Sequence, residues 1–230
     1  MKTIGMIGGM SWESTAVYYR IINETVKKRL GGHHSAKILL YSVDFHEVEE
    51  LQREERWDEA GEVMVDAARR LKNGGADFLV ICTNTMHRSV DRVRETVDLP
   101  LLHIVDAAKK HIQRAGMARA GLLGTRFTME SDLFTGPASS EINLEVIIPE
   151  RQDREIVHRI IYDELVLGRI LDDSRTELVR IIDDLTGKGA EGIILGCTEL
   201  SLLVTGEDTP VRLFDTTEIH AQAAAEYAFE

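Results

Sequence analysis

Two short polar segments, each placed after an apolar run, carry the side chains best suited to proton transfer. The first is Thr83–Thr85, which follows the unbroken apolar run Phe78–Cys82. The second is Cys197–Glu199, which follows Ile193–Leu195 and one glycine. An apolar run without alternation is typical of a strand buried on both faces of a parallel sheet. Open α/β sheets bind ligands at the carboxyl ends of their strands, so both segments are predicted to line one active site.

The chemistry that this pair of segments suits is the inversion of a carbon centre. If the two halves of the chain face each other about a pseudo-twofold axis, Thr83 and Cys197 lie on opposite walls of one cleft. One group then removes the α-proton and the other delivers a proton to the far face, as in a racemase or epimerase. Donors and helix N-termini can lower a thiol pKa from about 8.5, which would make the cysteine a base. Asn84, Thr85 and Thr198 are predicted to hold the substrate carboxylate, whose charge the reaction must neutralise.

The chain repeats its strand-end motifs, which predicts an internal duplication. IGMIGG from Ile4 matches AGLLGT from Ala120, ICTNT around Thr83 matches LGCTE around Cys197, and PLLHIVD from Pro100 matches PVRLFD from Pro210. Alternating strands and helices predict parallel sheets. The predicted class is α/β, with two pseudo-symmetric Rossmann-like domains, each a mainly parallel sheet flanked by helices, and the active site in the cleft between them. The predicted domains are residues 1–105 with 214–230, and residues 106–213.

Periodicity and glycine stops predict the elements that must position these segments. The predicted strands are Lys2–Gly9, Lys37–Val43, Phe78–Cys82, Leu101–Val105, Arg119–Gly124, Leu144–Ile148, the run ending at Leu195, and Val211–Phe214. The predicted helices are Ser14–Leu30, Trp57–Asn73, Arg88–Thr96, Asp106–Ala115, Arg154–Leu167, Ser174–Thr186 and Thr217–Ala228. Phe45–Gln52 is predicted to be a loop or a short helix.

Composition and charge exclude several classes of function. Apolar residues make up 43% of the 230 residues, which predicts a globular protein with a packed core. The net charge is −12, with 27 basic residues dispersed among 39 acidic ones, so we expect no nucleic-acid partner. The first residues do not have the pattern of a signal peptide, and no run approaches the roughly 18 apolar residues of a membrane span. Two cysteines predict no disulfide framework and fit a cytoplasmic setting.

The segments MIGGMSWEST, ICTNTMH, LLGT and LGCTEL together resemble the cofactor-independent aspartate/glutamate racemase family, and in particular its broad-specificity amino-acid racemase branch. The resemblance covers nearly the whole chain. It implies a two-domain α/β fold and proton transfer by two opposed residues without pyridoxal phosphate or metal. It also implies a homodimer, an amino-acid substrate, and a site that includes Met10, Gln52, Thr83–Thr85, Cys197 and Thr198.

The sequence departs from the family pattern at one of the two expected catalytic positions. Most members have Cys-Asn-Thr where this chain has Thr83-Asn84-Thr85. Cys82 is an alternative base, but the repeat aligns it with Gly196, and adjacent strand residues point to opposite sides. A hydroxyl is a poor base and can still pass a proton through water. We therefore predict a slow racemase that deprotonates one enantiomer readily through Cys197.

Several other residues have both a functional and a structural interpretation. Thr125, the repeat partner of Gly9, is predicted to donate to the substrate carboxylate. Glu199 either supports a helix start or orients Cys197 or the substrate ammonium. Arg53 either reaches a substrate side chain or belongs to a charged surface, and His87 is expected to be a packed or capping histidine. The glycines after the first strand lack dinucleotide and phosphate-loop spacing, and no metal-ligand cluster is present.

Two other functions fit the same residues. One is a catalytically weak protein that binds an amino acid or dicarboxylate, with Thr83 marking the loss of two-base chemistry. The other is a related isomerase or lyase that acts on a similar carboxylate on the same fold. Exchange of the α-proton with solvent separates a pure binder from an enzyme.

Overall fold

The structure is a computed structural model that describes residues 1–136 and 144–230. The chain divides into two compact units. Unit 1 comprises Met1–Ile104 and His220–Glu230, and unit 2 comprises Val105–Ile219. Each unit contains a parallel sheet flanked by helices, so the predicted α/β class is confirmed.

Unit 1 has a three-stranded parallel sheet in the order β2-β1-β3. Strand β1 spans Thr3–Gly8, β2 spans Lys37–Ser42 and β3 spans Phe78–Ile81. Register pairs Ile7 with Ile81, so the segments that follow β1 and β3 leave the sheet side by side. Because all three strands are parallel, their carboxyl ends lie at one edge.

The helices of unit 1 cover both faces of this sheet. They are α1 (Trp12–Leu30), α2 (Phe45–Arg53), α3 (Trp57–Asn73), a 3₁₀ turn (Thr85–Ser89) and α4 (Val90–Thr96). Alternate strand residues enter two different hydrophobic cores, because successive side chains point to opposite faces. Val80 packs in one core with Tyr18 of α1, and Leu79 packs in the other with Met64 of α3.

Unit 2 has a four-stranded parallel sheet in the order β5-β4-β6-β7. The strands are β4 (Arg119–Leu123), β5 (Glu145–Ile147), β6 (Gly192–Leu195) and β7 (Arg212–Asp215). The helices are α5 (Ile104–Arg114), α6 (Arg126–Met129), α7 (Asp132–Thr135), α8 (Arg151–Arg159), α9 (Asp172–Gly187), α10 (Leu200–Leu203) and α11 (Thr216–Tyr227). The first four residues of α11 belong to unit 2, and the rest of the helix belongs to unit 1.

The predicted strand Leu101–Val105 is wrong beyond its first residue. Leu101 makes one parallel bridge to Leu79, and α5 already begins at Ile104. The residues that follow, Ala107, Ala108 and Lys109, favour helix strongly, and they extend the helix towards its N-terminus.

The predicted continuous helix Arg154–Leu167 is also wrong. The α-helix α8 ends at Arg159, a π turn spans Ile160–Glu164 and a 3₁₀ turn spans Leu165–Leu167. Ile160 and Leu165 are both buried although they are five residues apart. A π turn aligns residues at that spacing, which brings both side chains to the core.

Candidate active site

Thr83 lies at the carboxyl edge of the unit 1 sheet, two residues beyond the end of β3. The N–H of the preceding Cys82 donates to the carbonyl of Ile7 at 2.9 Å, which continues the strand pairing to the edge. Thr83 is half-buried, and its hydroxyl makes no hydrogen bond within residues 1–136 and 144–230. The predicted position of Thr83 at a strand end is confirmed.

The turn after β1 brings Met10 to the same edge. Gly9 has φ 93°, a left-handed conformation, and a Cβ at this position would collide with the carbonyl of Val43. The N–H of Gly9 donates to Oγ1 of Thr15 at 2.9 Å. A glycine is therefore required where the chain turns from β1 towards Met10, which is 5% exposed.

Two side-chain contacts tie the three loops at this edge together. Ser14 Oγ, at the start of α1, donates to the carbonyl of Cys82 at 3.2 Å. Gln52 Nε2, near the end of α2, donates to Sδ of Met86 at 3.3 Å. Gln52 is only 3% exposed, so it is a buried neighbour of the Thr83 segment and not a solvated polar residue. Asn84 and Thr85 follow Thr83 and are also buried.

Cys197 occupies the corresponding position in unit 2, two residues beyond the end of β6. The N–H of Gly196 donates to the carbonyl of Leu123 at 2.6 Å, as the N–H of Cys82 does to Ile7 in unit 1. Cys82 and Gly196 therefore occupy equivalent positions in the two units, and so do Thr83 and Cys197, in agreement with the sequence repeat.

Thr125 and Thr198, two other predicted residues of unit 2, lie at the same sheet edge as Cys197. Leu123 of β4 pairs with Leu195 of β6, so Thr125 and Cys197 each lie two residues past paired strand ends. Thr125 caps α6 and shares a hydrogen bond with the hydroxyl of Thr128 at 3.2 Å. The hydroxyl of Thr198 lies 3.2 Å from that of Thr217, at the start of α11.

The thiol of Cys197 donates a hydrogen bond to Oε2 of Glu199 at 2.9 Å. Burial raises the pKa of this thiol well above its usual value, and the negative charge of Glu199 and its hydrogen bond raise the pKa further. The expectation of a thiol pKa lowered by a helix N-terminus is therefore wrong. The helix that follows, α10, spans only Leu200–Leu203, and the nearest charge is a carboxylate.

Asp215 is a member of this edge that the sequence interpretation did not single out. It ends β7 opposite Leu195, and burial raises its pKa. Its Oδ1 accepts the N–H groups of Thr217 and Glu218 at 2.8 and 3.3 Å, so it anchors the start of α11. Its charge also raises the pKa of Cys197. The repeat that pairs PLLHIVD with PVRLFD marks this strand end in the sequence.

Cys82 lies in the core of unit 1 and not at the edge. Its side chain is fully buried with Val80 and Phe78, and burial raises the pKa of its thiol far above the usual range. The structural interpretation of Cys82 as a small buried apolar residue is confirmed.

Two other candidates have structural roles in the described part of the chain. Arg53 is exposed and lies 3.8 Å from Glu49 and 3.6 Å from Glu50, which fits a charged helix surface. His87 is buried and accepts or donates through both ring nitrogens. Among residues 1–136 and 144–230, no group of three or more His, Cys, Asp or Glu side chains is placed to hold a metal ion. Within the same residues, no helix combines the length and apolar character of a membrane span.

Comparisons with known proteins identify the family and support the fold. The model of the family described as Asp/Glu/Hydantoin racemase matches residues 7–224. The chain is 53% identical to a candidate Asp/Glu racemase from Yersinia pestis, with a TM-score of 0.93 and full coverage of both chains. It is 35% identical to an aspartate racemase homologue from Pyrococcus horikoshii OT3, with a TM-score of 0.85 and full coverage of both chains.

A curated relative covers a similar share of the chain. The broad specificity amino-acid racemase RacX of Bacillus subtilis (strain 168) is 21% identical over 96% of this chain and 95% of its own length. The family match covers almost the whole chain, so this protein belongs to the Asp/Glu/Hydantoin racemase family.

Proposed function

We propose that this protein is an amino-acid racemase that acts without pyridoxal phosphate, with Cys197 and Thr83 serving opposite faces of the substrate α-carbon. The observation that carries the proposal is their equivalence in the two units. Each residue lies two positions past the end of a parallel strand, β3 or β6, and the preceding N–H bonds the neighbouring strand in the same way. Membership of the racemase family supports the reaction.

The proton transfers of this reaction involve Glu199 as well as Cys197. The resting thiol donates to the Glu199 carboxylate, so the thiolate forms when that proton passes to Glu199. The thiolate then removes the α-proton from the substrate. The Thr83 hydroxyl gives a proton to the far face of the carbanion, directly or through one water, and recovers a proton from solvent. Glu199 releases its proton to solvent, so the enzyme returns to its first state.

The substrate carboxylate needs hydrogen-bond donors, because deprotonation at the α-carbon adds negative charge beside it. Asn84 and Thr85 in unit 1, with Thr125 and Thr198 in unit 2, carry such donors at the two sheet edges. Met10 shares a hydrophobic core with Met86, which follows Thr85, and Gln52 donates to the sulfur of Met86. The proposed substrates are aspartate, glutamate and related amino acids, and the proposed assembly is a homodimer in the cytoplasm.

The unequal pair makes the enzyme slow and asymmetric in rate. The two enantiomers of a free amino acid have equal energy, so the racemisation equilibrium stays at equal amounts. An alkoxide is far harder to form than a thiolate, so the enantiomer whose α-proton faces Cys197 exchanges that proton faster than the other.

A second candidate function is a catalytically weak protein that binds the same ligands. Thr83 in place of the usual cysteine and the raised pKa of Cys197 both favour it. A pure binder retains affinity for amino acids and does not exchange their α-proton.

The test measures incorporation of deuterium at the α-carbon in D₂O by proton NMR, separately for each enantiomer of aspartate and of glutamate. The proposal predicts rapid exchange for one enantiomer, slower exchange for the other, and slow racemisation of both. Equal and rapid exchange of both enantiomers would contradict the asymmetric pair. Absence of exchange for a panel of amino acids that bind would leave the weak binder as the function.

A further inference from the structure

His87 forms two hydrogen bonds that hold the backbone of the Thr83 segment. Its Nδ1 lies 2.7 Å from the carbonyl oxygen of Thr83. Its Nε2 lies 3.2 Å from the backbone nitrogen of Ile104. The residue is only 2% exposed, so neither contact competes with bulk water.

The second contact fixes the tautomer of the ring. The N–H of Ile104 is a donor, so Nε2 of His87 must be the unprotonated acceptor. In a neutral imidazole the proton then sits on Nδ1, which donates to the Thr83 carbonyl. The Ile104 N–H therefore sets which hydrogen bond the ring can make to Thr83.

The carbonyl of Thr83 does not accept the backbone hydrogen bond that it would accept in an α-helix. In an α-helix, the N–H of His87 would donate to the carbonyl four residues earlier, which is Thr83. Here the N–H of His87 donates to Asn84 at 3.0 Å, because the segment is a 3₁₀ turn. The imidazole supplies the hydrogen bond that the backbone does not.

The surroundings of the ring keep it neutral. The imidazoles of His103 and His220 lie with ring centres 4.9 and 5.5 Å from it. Burial, those two rings and the charge of Arg94 lower the pKa of His87 well below its usual value, against the opposing hydrogen bond to Thr83. His220 is itself held between the hydroxyl of Tyr18 at 2.8 Å and the carbonyl of Leu102 at 3.0 Å.

We propose that His87 is a positioning residue for Thr83: its Nδ1–H fixes the Thr83 carbonyl and so sets the direction of the Thr83 hydroxyl towards the substrate. The inference rests on the proposed function, in which that hydroxyl carries a proton. Misplacement of a reacting group by about 1 Å can cost about 100-fold in rate, so loss of this contact reduces turnover.

The test compares two variants that each remove one of the two hydrogen bonds. In His87→Asn the amide nitrogen takes the place of Nδ1, so the contact to Thr83 is kept and the contact to Ile104 is lost. In His87→Gln the amide lies at the place of Nε2, so the contact to Ile104 is kept and the donor to Thr83 is lost. Each variant gives up one buried hydrogen bond, and a purely structural role lowers both Tm and activity alike.

The positioning role predicts a difference between the variants in kcat. His87→Gln loses about 10- to 100-fold in kcat for racemisation, with a smaller change in KM, while His87→Asn stays within about threefold of the parent. His220→Gln is the matched control: it disturbs a buried histidine of the same cluster that does not contact Thr83, and it keeps the parent kcat per folded molecule.

The Thr83→Ala background separates this inference from the proposed function. There the two His87 variants show the same residual rate of racemisation if His87 acts through Thr83. Equal kcat values for the two His87 variants in the parent, while Thr83→Ala retains only a small residual rate, would overturn the inference alone. Full racemisation by Thr83→Ala would remove both the catalytic role of Thr83 and the role of His87.

Discussion

The two strand ends that carry Thr83 and Cys197 have the same backbone geometry and different chemical surroundings. Thr83 has a hydroxyl without a hydrogen bond among the described residues, and a neutral imidazole holds its carbonyl. Cys197 has a thiol that a carboxylate holds directly, with a second carboxylate, Asp215, raising its pKa. The two sheets therefore place the two residues at equivalent strand ends, while the neighbouring side chains give them different electrostatic surroundings.

The largest effect is expected from removal of the sulfur. If Cys197 removes the α-proton as proposed, Cys197→Ala lowers deuterium exchange about 1,000-fold or more for the faster enantiomer, within the range of a lost acid–base group. Proton NMR in D₂O measures the rate. Cys82→Ala is the control, because that thiol is buried in the core of unit 1. If a normally folded Cys82→Ala protein lost deuterium exchange while Cys197→Ala kept it, the base would be Cys82 and not Cys197.

The substitution Thr83→Cys gives both strand ends a cysteine, and it tests whether the hydroxyl limits the rate. Thr83→Cys replaces a weak acid–base group with a thiol that has no carboxylate hydrogen-bonded to it, so racemisation rises by about 10- to 100-fold. Thr83→Ser keeps a hydroxyl and gives no such gain. Polarimetry or chiral chromatography measures both. A Thr83→Cys enzyme no faster than Thr83→Ser would remove Thr83 from the proton path.

The location of both ends was predictable from the sequence, because short apolar runs followed by polar residues mark the carboxyl ends of buried parallel strands. The repeat aligned Thr83 with Cys197 and Cys82 with Gly196, and the strand register within each sheet agrees with that equivalence. These features depend on local pattern and on strand pairing, which the order of residues encodes directly.

The electrostatics of the site were not predictable in the same way. A cysteine followed by a helix start suggests a lowered pKa, yet burial raises the pKa of Cys197, and the side chain of Glu199, which folds back on the thiol, raises it further. The link from His87 to Ile104 joins residues 17 positions apart, and it uses the N–H of the first residue of α5, a position that the sequence assigned to a strand. Rotamers and tertiary contacts determine both features, and no short motif specifies them.

Acid is expected to lower the free energy of unfolding through the buried histidines of unit 1, the unit that contains Thr83. Burial lowers the pKa of His220 to about 4, against about 6.5 in the unfolded chain. Below pH 6.5 His220 binds a proton in the unfolded state and stays neutral in the native state. The unfolded state is therefore stabilised relative to the native state as pH falls towards 4, and the free energy of unfolding decreases. His220 alone accounts for about 2 kcal/mol of the loss between pH 7 and pH 5.

Urea unfolding at the two pH values measures this contribution. The loss of unfolding free energy from pH 7 to pH 5 should be smaller by about 2 kcal/mol in His220→Gln than in the parent protein. His33→Gln, at an exposed loop position, should leave the loss unchanged. An unchanged loss in His220→Gln would mean that this imidazole is protonated in the native state.

The smallest effect concerns the carboxylate beside the sulfur. Glu199→Gln keeps an acceptor for the thiol and removes the negative charge, which raises the Cys197 pKa in the parent. We expect the pKa of Cys197 to fall, because one of the causes that raise it is removed. The pH dependence of alkylation by iodoacetamide, read by mass spectrometry of the Cys197 peptide, measures the shift.

The direction of the change in activity then separates two roles of Glu199. If the carboxylate only raises the pKa, Glu199→Gln exchanges the α-proton faster at neutral pH, because more thiolate is present. If Glu199 receives the thiol proton during turnover, exchange slows although the thiol is more acidic. The proton transfers proposed above require slower exchange in Glu199→Gln together with a lowered pKa of Cys197. Faster exchange in Glu199→Gln would contradict them.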